Sequence, residues 1–314
     1  MPLPVLAIIA AMIQDVAGTL VGQDFGAWSR ADIERIAGAA GWSIRENQHS
    51  LIIETGGPAR ARSTKVSYGQ EDYGYGEQTD LQITETCAAD ELAPLHAATL
   101  AAVVAVLGPP AMVGGPHAWA FWRNPRVRLE RDIRRPSVTL RVEPAEPAEA
   151  QEYSDAEWSP DWQPTDLWNA EPDVNSDACK SLLGMMSYDA RMADTWDEFE
   201  TSLRELFASL SADLPLLLDY VPHVGWEISE ADGDHMVAGS FNSDGVHVHS
   251  VVYNTTQSTD YPSLPLEPDS GARVAEIAID TIRGWGHASP VRLRHQCFVT
   301  GPVRLSAKSG FRLA

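Results

Sequence analysis

The chain has 314 residues, 44% of them hydrophobic, with 44 Asp and Glu against 23 Lys and Arg and a formal net charge of −21. This length favours two domains and supplies core material for both. So acidic a surface argues against nucleic acid and anionic membrane as partners, because like charge repels phosphate.

The opening MPLPVLAIIAAMI is apolar, but the first Arg is Arg30 and no apolar run approaches the roughly 18 to 20 residues of a membrane helix. Pro4 to Leu20 reads as a buried or capping helix. Ser29 is a good N-cap for Arg30 to Ala40, where Ile33, Ile36, Ala37 and Ala40 form an apolar stripe ended by Gly41. Strands are expected at Ser50 to Glu54, Ser63 to Tyr68 and Thr79 to Thr86, all rich in β-branched residues. The GQEDYGYGEQ stretch between the last two lacks the Lys of a phosphate loop and reads as a mobile loop with Tyr68, Tyr73 and Tyr75 available to contact a protein.

A helix over Ala93 to Leu107 stops at Gly108-Pro109-Pro110, and strands follow at Ala118 to Trp122, Val127 to Arg131 and Ser137 to Val142. Six arginines crowd Arg123 to Arg135, where alternation puts Arg126 and Arg128 on one strand face and Val127 and Leu129 on the other. That is the solvated side of a half-buried strand rather than a nucleic-acid patch. The same arginines can hold the acidic segment that comes next.

Val142 to Cys179 contains eleven acidic residues, five prolines, Trp158, Trp162 and Trp168, and no Lys or Arg, so these 38 residues carry −11 of the −21. A purely acidic run is a solvated linker. Three tryptophans add the alternative of a docking surface, with Trp158, Trp162 and Trp168 as anchors and Asp155, Glu157, Asp161 and Asp166 steering a basic partner. The other reading folds the rings back onto the adjoining domains and leaves the charges to keep a linker soluble.

Beyond the tract, Thr195 caps a helix whose Trp196, Phe199, Leu203, Leu206, Phe207 and Leu210 recur at helical spacing. Strands are expected at Leu214 to Tyr220, Gly225 to Ser229, His235 to Ser240 and Val246 to Tyr253. A helix from Ala272 to Arg283 follows, then strands at Val291 to Val299 and Val303 to Leu305. Both halves run helix, three or four strands, helix, more strands, a tandem pseudo-repeat of element order. The expected fold is α+β, two similar α/β-sandwich domains, each an antiparallel sheet covered by amphipathic helices. The boundaries are 1–141, an acidic linker at 142–179, and 180–314.

TWDEFETSLRELFASL (Thr195 to Leu210) and ARVAEIAIDTIRGWGHASP (Ala272 to Pro290) resemble the actinobacterial TY-Chap domains, which are similar to type III secretion chaperones. In the first half, LGPP with AWAFWRNPRVRLERD and SVTLRVEPAE resembles small actinobacterial domains associated with polymorphic-toxin and secretion loci. The resemblance implies binding of another protein and carries over no catalytic residue.

Cys87, Cys179 and Cys297 are widely separated, which suggests neither a disulfide framework nor a zinc ribbon and fits a reducing cytoplasm. His247 and His249 share a strand face, but no third ligand has a fixed place beside them. There is no G-x-S-x-G elbow and no Cys/His signature. The expectation is a cytoplasmic protein-binding chain without catalytic residue, metal or cofactor. It is read as an immunity protein that neutralises a basic cognate toxin, or alternatively as a secretion chaperone for an exported effector, which would add homodimerisation.

Overall fold

The computed structural model describes residues 13, 16–18, 20–46, 50–68, 76–158, 167–173, 175, 193–231, 233–255, 257–299 and 303–307. They fold into antiparallel sheets with covering helices, a mixed α+β architecture. The chain divides into two compact units, the first made of Met1–Ala111 and Trp119–Gln163, the second of Met112–Ala118 and Pro164–Ala314. No described helix is long and apolar enough to cross a membrane.

The first unit begins with α1 (Arg30–Ala39), whose Ser29 and Asp32 bond reciprocally across the first turn in a capping box. Its stripe buries Ile33, Ile36 and Ala37. A four-strand meander follows: β1 (Ser43–Glu46), β2 (Ser50–Glu54), β3 (Arg60–Tyr68) and β4 (Gly76–Thr86). Helix α2 (Leu92–Leu107) is apolar on most sides and ends at Gly108, whose φ of 77° suits glycine. The chain then returns to the sheet through β6 (Trp119–Trp122), β7 (Arg126–Asp132) and β8 (Ser137–Glu143), and closes with α3 (Ala145–Trp158). Strand order is β1-β2-β3-β4-β8-β7-β6, every described pairing antiparallel. Leu81, Ile83, Val127, Leu129, Val138, Leu140 and Val142 fill its core.

The second unit holds β5 (Met112–Gly115), β9 (Trp168–Glu171) and β15 (Arg304–Ala307), paired antiparallel with β9 in the centre. Its five-stranded sheet runs β13-β12-β11-β10-β14, made of β10 (His223–Glu230), β11 (His235–Asn242), β12 (Gly245–Val252), β13 (Gln257–Asp260) and β14 (Leu293–Phe298). Helices α4 (Trp196–Asp213) and α5 (Ser270–Arg283) pack on each other, so closely at Gly271 that a Cβ would collide with the Phe207 carbonyl. Phe207 meets Trp226 at 4.7 Å and Phe241 at 5.5 Å, joining α4 to the sheet through fully buried rings.

Three expectations change. The strand expected over Leu214 to Tyr220 is a short 3₁₀ turn, Leu214–Leu216, followed by further turns. Leu214 extends the buried stripe of Phe207 and Leu210, and Pro215 enters the first 3₁₀ turn, where it needs no N–H. The linker placed at 142–179 is largely built into the units: β8 runs to Glu143, α3 takes 145–158 and β9 takes 168–171. Residues 112–118 also belong to the second unit, although the expected boundary lay after Arg141.

Candidate functional site

The first unit contains a cleft of about 390 Å³ whose walls come from the chain ahead of α1, the β6–β7 turn and the β8–α3 junction. One wall is aromatic: Phe25 and Trp28 stack at 4.3 Å with only 9° between ring planes. Phe25 is buried and Trp28 half-buried, and between them Gly26 has a φ of 55° and sits so close to Asp32 that a Cβ would not fit without movement.

Charge lies beneath. Arg126 and Glu143, directly paired across β7 and β8, form an ion pair at 2.6 Å with side-chain exposures of 7% and 9%. Arg141 approaches Glu143 at 3.0 Å and Asp80 at 3.2 Å, so two guanidiniums balance two carboxylates. Burial pushes the Asp80 carboxyl above its ordinary value against the pull of Arg141. Arg126 also lies over the Phe121 ring at 5.1 Å. On the rim Asp24 and Glu146 are exposed. The side-chain oxygen of Gln78, which lines the cleft, is buried with no hydrogen-bond partner among the described residues.

Alternation misplaced Arg126. It is buried rather than solvated, because Glu143 enters the same face one strand away and supplies the compensating charge. Arg123 makes a two-pronged bond to Glu149 of α3 at 2.6 and 2.7 Å, so arginines of the β6–β8 region do hold the start of the acidic tract. Arg128 stacks over Trp119 at 4.7 Å.

Of the expected docking residues, Asp155, Glu157 and Trp158 fall in the last turns of α3, with their side chains outside the described set. Trp162, Asp161, Asp166, Tyr73 and Tyr75 lie outside the described residues. Trp168 is no surface anchor. It is fully buried in β9, and its indole Nε1 donates to Ser209 Oγ at 2.9 Å. Ser209 Oγ in turn donates to Asp213 Oδ2 at 2.7 Å, which also accepts the His117 backbone N–H at 3.1 Å. A Cβ at Gly115 would collide with all three side chains, so this network is packed shut.

Elsewhere in the second unit, Glu230 accepts from His235 Nδ1 at 2.8 Å and meets His287 Nε2 at 2.5 Å, while Trp285 stacks on the His235 ring. Burial pushes Glu230 up, yet the hydrogen bonds from His235 and His287 outweigh it and hold the carboxyl below its ordinary value. His247 and His249 point to the opposite face of β12 from buried Val246 and Val248, and no group of three metal-ligating side chains occurs among the described residues. Cys297 lies 3.4 Å from His295, but burial pushes the thiol up to about 12 and the imidazole down to about 3. A thiol beside an imidazole that does not take a proton is no activated nucleophile. No protein-family model, curated protein or solved structure matches the chain.

Proposed function

We propose that this chain is a non-enzymatic protein-binding protein which neutralises a basic cognate toxin by stoichiometric binding, as an immunity protein acting in the cytoplasm. The observation that carries the reading is how the chain distributes its charge. Among the described residues several cations are spent internally: Arg30 lies 2.6 Å from Glu46, Arg123 2.6 Å from Glu149, Arg126 2.6 Å from Glu143 and Arg283 2.7 Å from Glu200. Pairs of this kind occupy part of the 23 basic residues, and with 44 acidic residues against them the chain keeps a large excess of carboxylate. Such a surface speeds and orients the approach of a basic protein while repelling acidic ones.

The test is capture on the full-length chain from lysate of its own host, followed by titration of the captured protein in rising salt. The expected result is one basic, folded protein bound at one to one, with affinity falling steeply as salt screens the surface. A bound protein that is acidic, or whose affinity ignores salt, would sink the reading. Capture of an unfolded export substrate would replace it with the secretion-chaperone role.

A further inference from the structure

Building on the reading of a basic protein partner, we propose that the cleft beside the Phe25–Trp28 stack is the seat of one arginine side chain from that partner. Its volume of about 390 Å³ lies near the floor of the roughly 300 to 1,000 Å³ spanned by small-ligand sites and gives ample room for one side chain. Three lining residues, Pro125, Pro144 and Pro147, contribute no N–H, and the guanidiniums beneath, of buried Arg126 and half-exposed Arg141, are balanced by Glu143 and Asp80. The lining is rich in acceptors, with exposed Asp24 and Glu146 on the rim and the buried Gln78 Oε1 waiting for a donor.

A ligand matching this lining is cationic, donor-rich and flat enough to lie along an aromatic wall. Guanidinium meets all three conditions, since it offers five N–H groups in one plane and stacks on indole, whereas an ammonium is a compact, strongly hydrated charge. The chain uses the same contact on itself: Arg128 lies 4.7 Å over Trp119 and Arg283 lies 4.1 Å over Trp196.

The experiment is a titration of the ¹⁵N-labelled full chain, following the Trp28 indole N–H, assigned with Trp28→Phe. The probes are N-acetyl-arginine amide, its uncharged isostere N-acetyl-citrulline amide, and a glycine–serine peptide with one internal arginine. Both arginine probes are expected to move the Trp28 signal at millimolar concentrations and citrulline to leave it still. Gln78→Leu is expected to weaken binding about ten-fold, the loss of one charge-assisted hydrogen bond. Glu146→Gln, an exposed change that leaves packing alone, is expected to weaken it by a smaller factor. A Trp28 signal unmoved by arginine, or moved equally by citrulline, would overturn the proposal. Binding of the free amide but not of the internal arginine would overturn the protein source, marking the cleft as a site for a small free guanidine. The readout is independent of capture: a silent cleft leaves a captured basic partner standing, and a titrating cleft survives the loss of that partner.

Discussion

The two units share an order of elements but differ in how they close. In each, a helix precedes a four-strand meander, a second helix follows, and the chain returns to the sheet. In the first unit the returning β8 pairs with β4, the last strand of the meander; in the second, β14 pairs with β10, the first. Their interiors differ in kind as well. The first buries cations together with carboxylates, among them Glu85, Arg126, Arg131 and Glu143, whereas the described buried polar residues of the second are three serines, Asn169, Glu171, Asp213 and His295, with no Lys or Arg. Hydrogen-bonded hydroxyls fix a core at little cost, but a buried ion pair is weak evidence for stability and costs much when half of it is removed. The pairing at Arg126 and Glu143 therefore makes more sense as part of the cleft it underlies than as a device for holding the sheet together.

The sharpest way to break that contrast is Glu143→Leu, which takes from buried Arg126 its cross-strand carboxylate while Arg141 keeps Asp80. It is expected to cost the first unit about 3–5 kcal/mol, read as lost hydrogen-exchange protection in β7 and β8. Arg126→Leu combined with Glu143→Leu is expected to recover most of this loss, since a packed apolar pair replaces a buried ionic one. A loss below about 1 kcal/mol for the single change would mean the pair behaves as a solvated surface bridge.

Glu85 extends the comparison to pH. It is fully buried on β4, in the same cross-strand row as Val138 and Arg131, and burial pushes its carboxyl up to about 7. A folded-state value above the ordinary 4.5 means that the protonated form is favoured on folding, so stability falls as pH rises from about 4.5 to about 7. The shift corresponds to about 3 kcal/mol. Glu85→Gln is expected to flatten this decline, raising stability at pH 8 and changing little at pH 4. An unchanged pH profile in the variant would show that Glu85 is ionised in the fold.

Elements marked by local chemistry were legible in the sequence. Ser29 and Thr195 cap their helices as expected, and α5 follows from the spacing of Val274, Ala278 and Ile282. What escaped depends on distant partners. Strand β1 is exposed along its whole length and has no apolar alternation, so only its pairing with β2 defines it. Helix α3 has no apolar stripe and looked like linker because the cation opposite Glu149 comes from Arg123, 26 residues earlier. The cleft was invisible for the same reason, since Trp28, Gln78, Arg126 and Glu143 meet only through tertiary structure. Trp168 is the clearest case: acidic neighbours suggested a surface anchor, whereas β9 is buried between β5 and β15. Trp168→Phe is accordingly expected to lower the stability of the second unit by about 1–2 kcal/mol through the hydrogen bond lost to Ser209. Binding of a basic partner should be unaffected, and a large loss of affinity in a folded variant would restore Trp168 as an anchor.

The smallest expected effect separates the two helix caps. Ser29 of α1 belongs to a reciprocal box, its Oγ accepting from Asp32 N while Asp32 Oδ2 accepts from Ser29 N at 3.0 Å. Thr195 of α4 accepts from Glu198 N at 3.3 Å, the same length as the bond from Asp32 N to Ser29 Oγ, but Glu198 reaches to the Asp194 N–H and so closes no box with Thr195. Ser29→Ala removes the cap oxygen and is expected to cost about 1 kcal/mol, more than Thr195→Ala. The side-chain and backbone hydrogen bonds from Ser29 hold the Asp32 carboxyl below its ordinary 3.8, so the box contributes fully above that pH and fades as pH falls through the depressed value. Ser29→Ala should therefore cost less in acid than at neutral pH, whereas the Thr195 hydroxyl has no such dependence of its own. Equal costs at both pH values would show that Asp32 adds nothing to the cap beyond the serine hydroxyl.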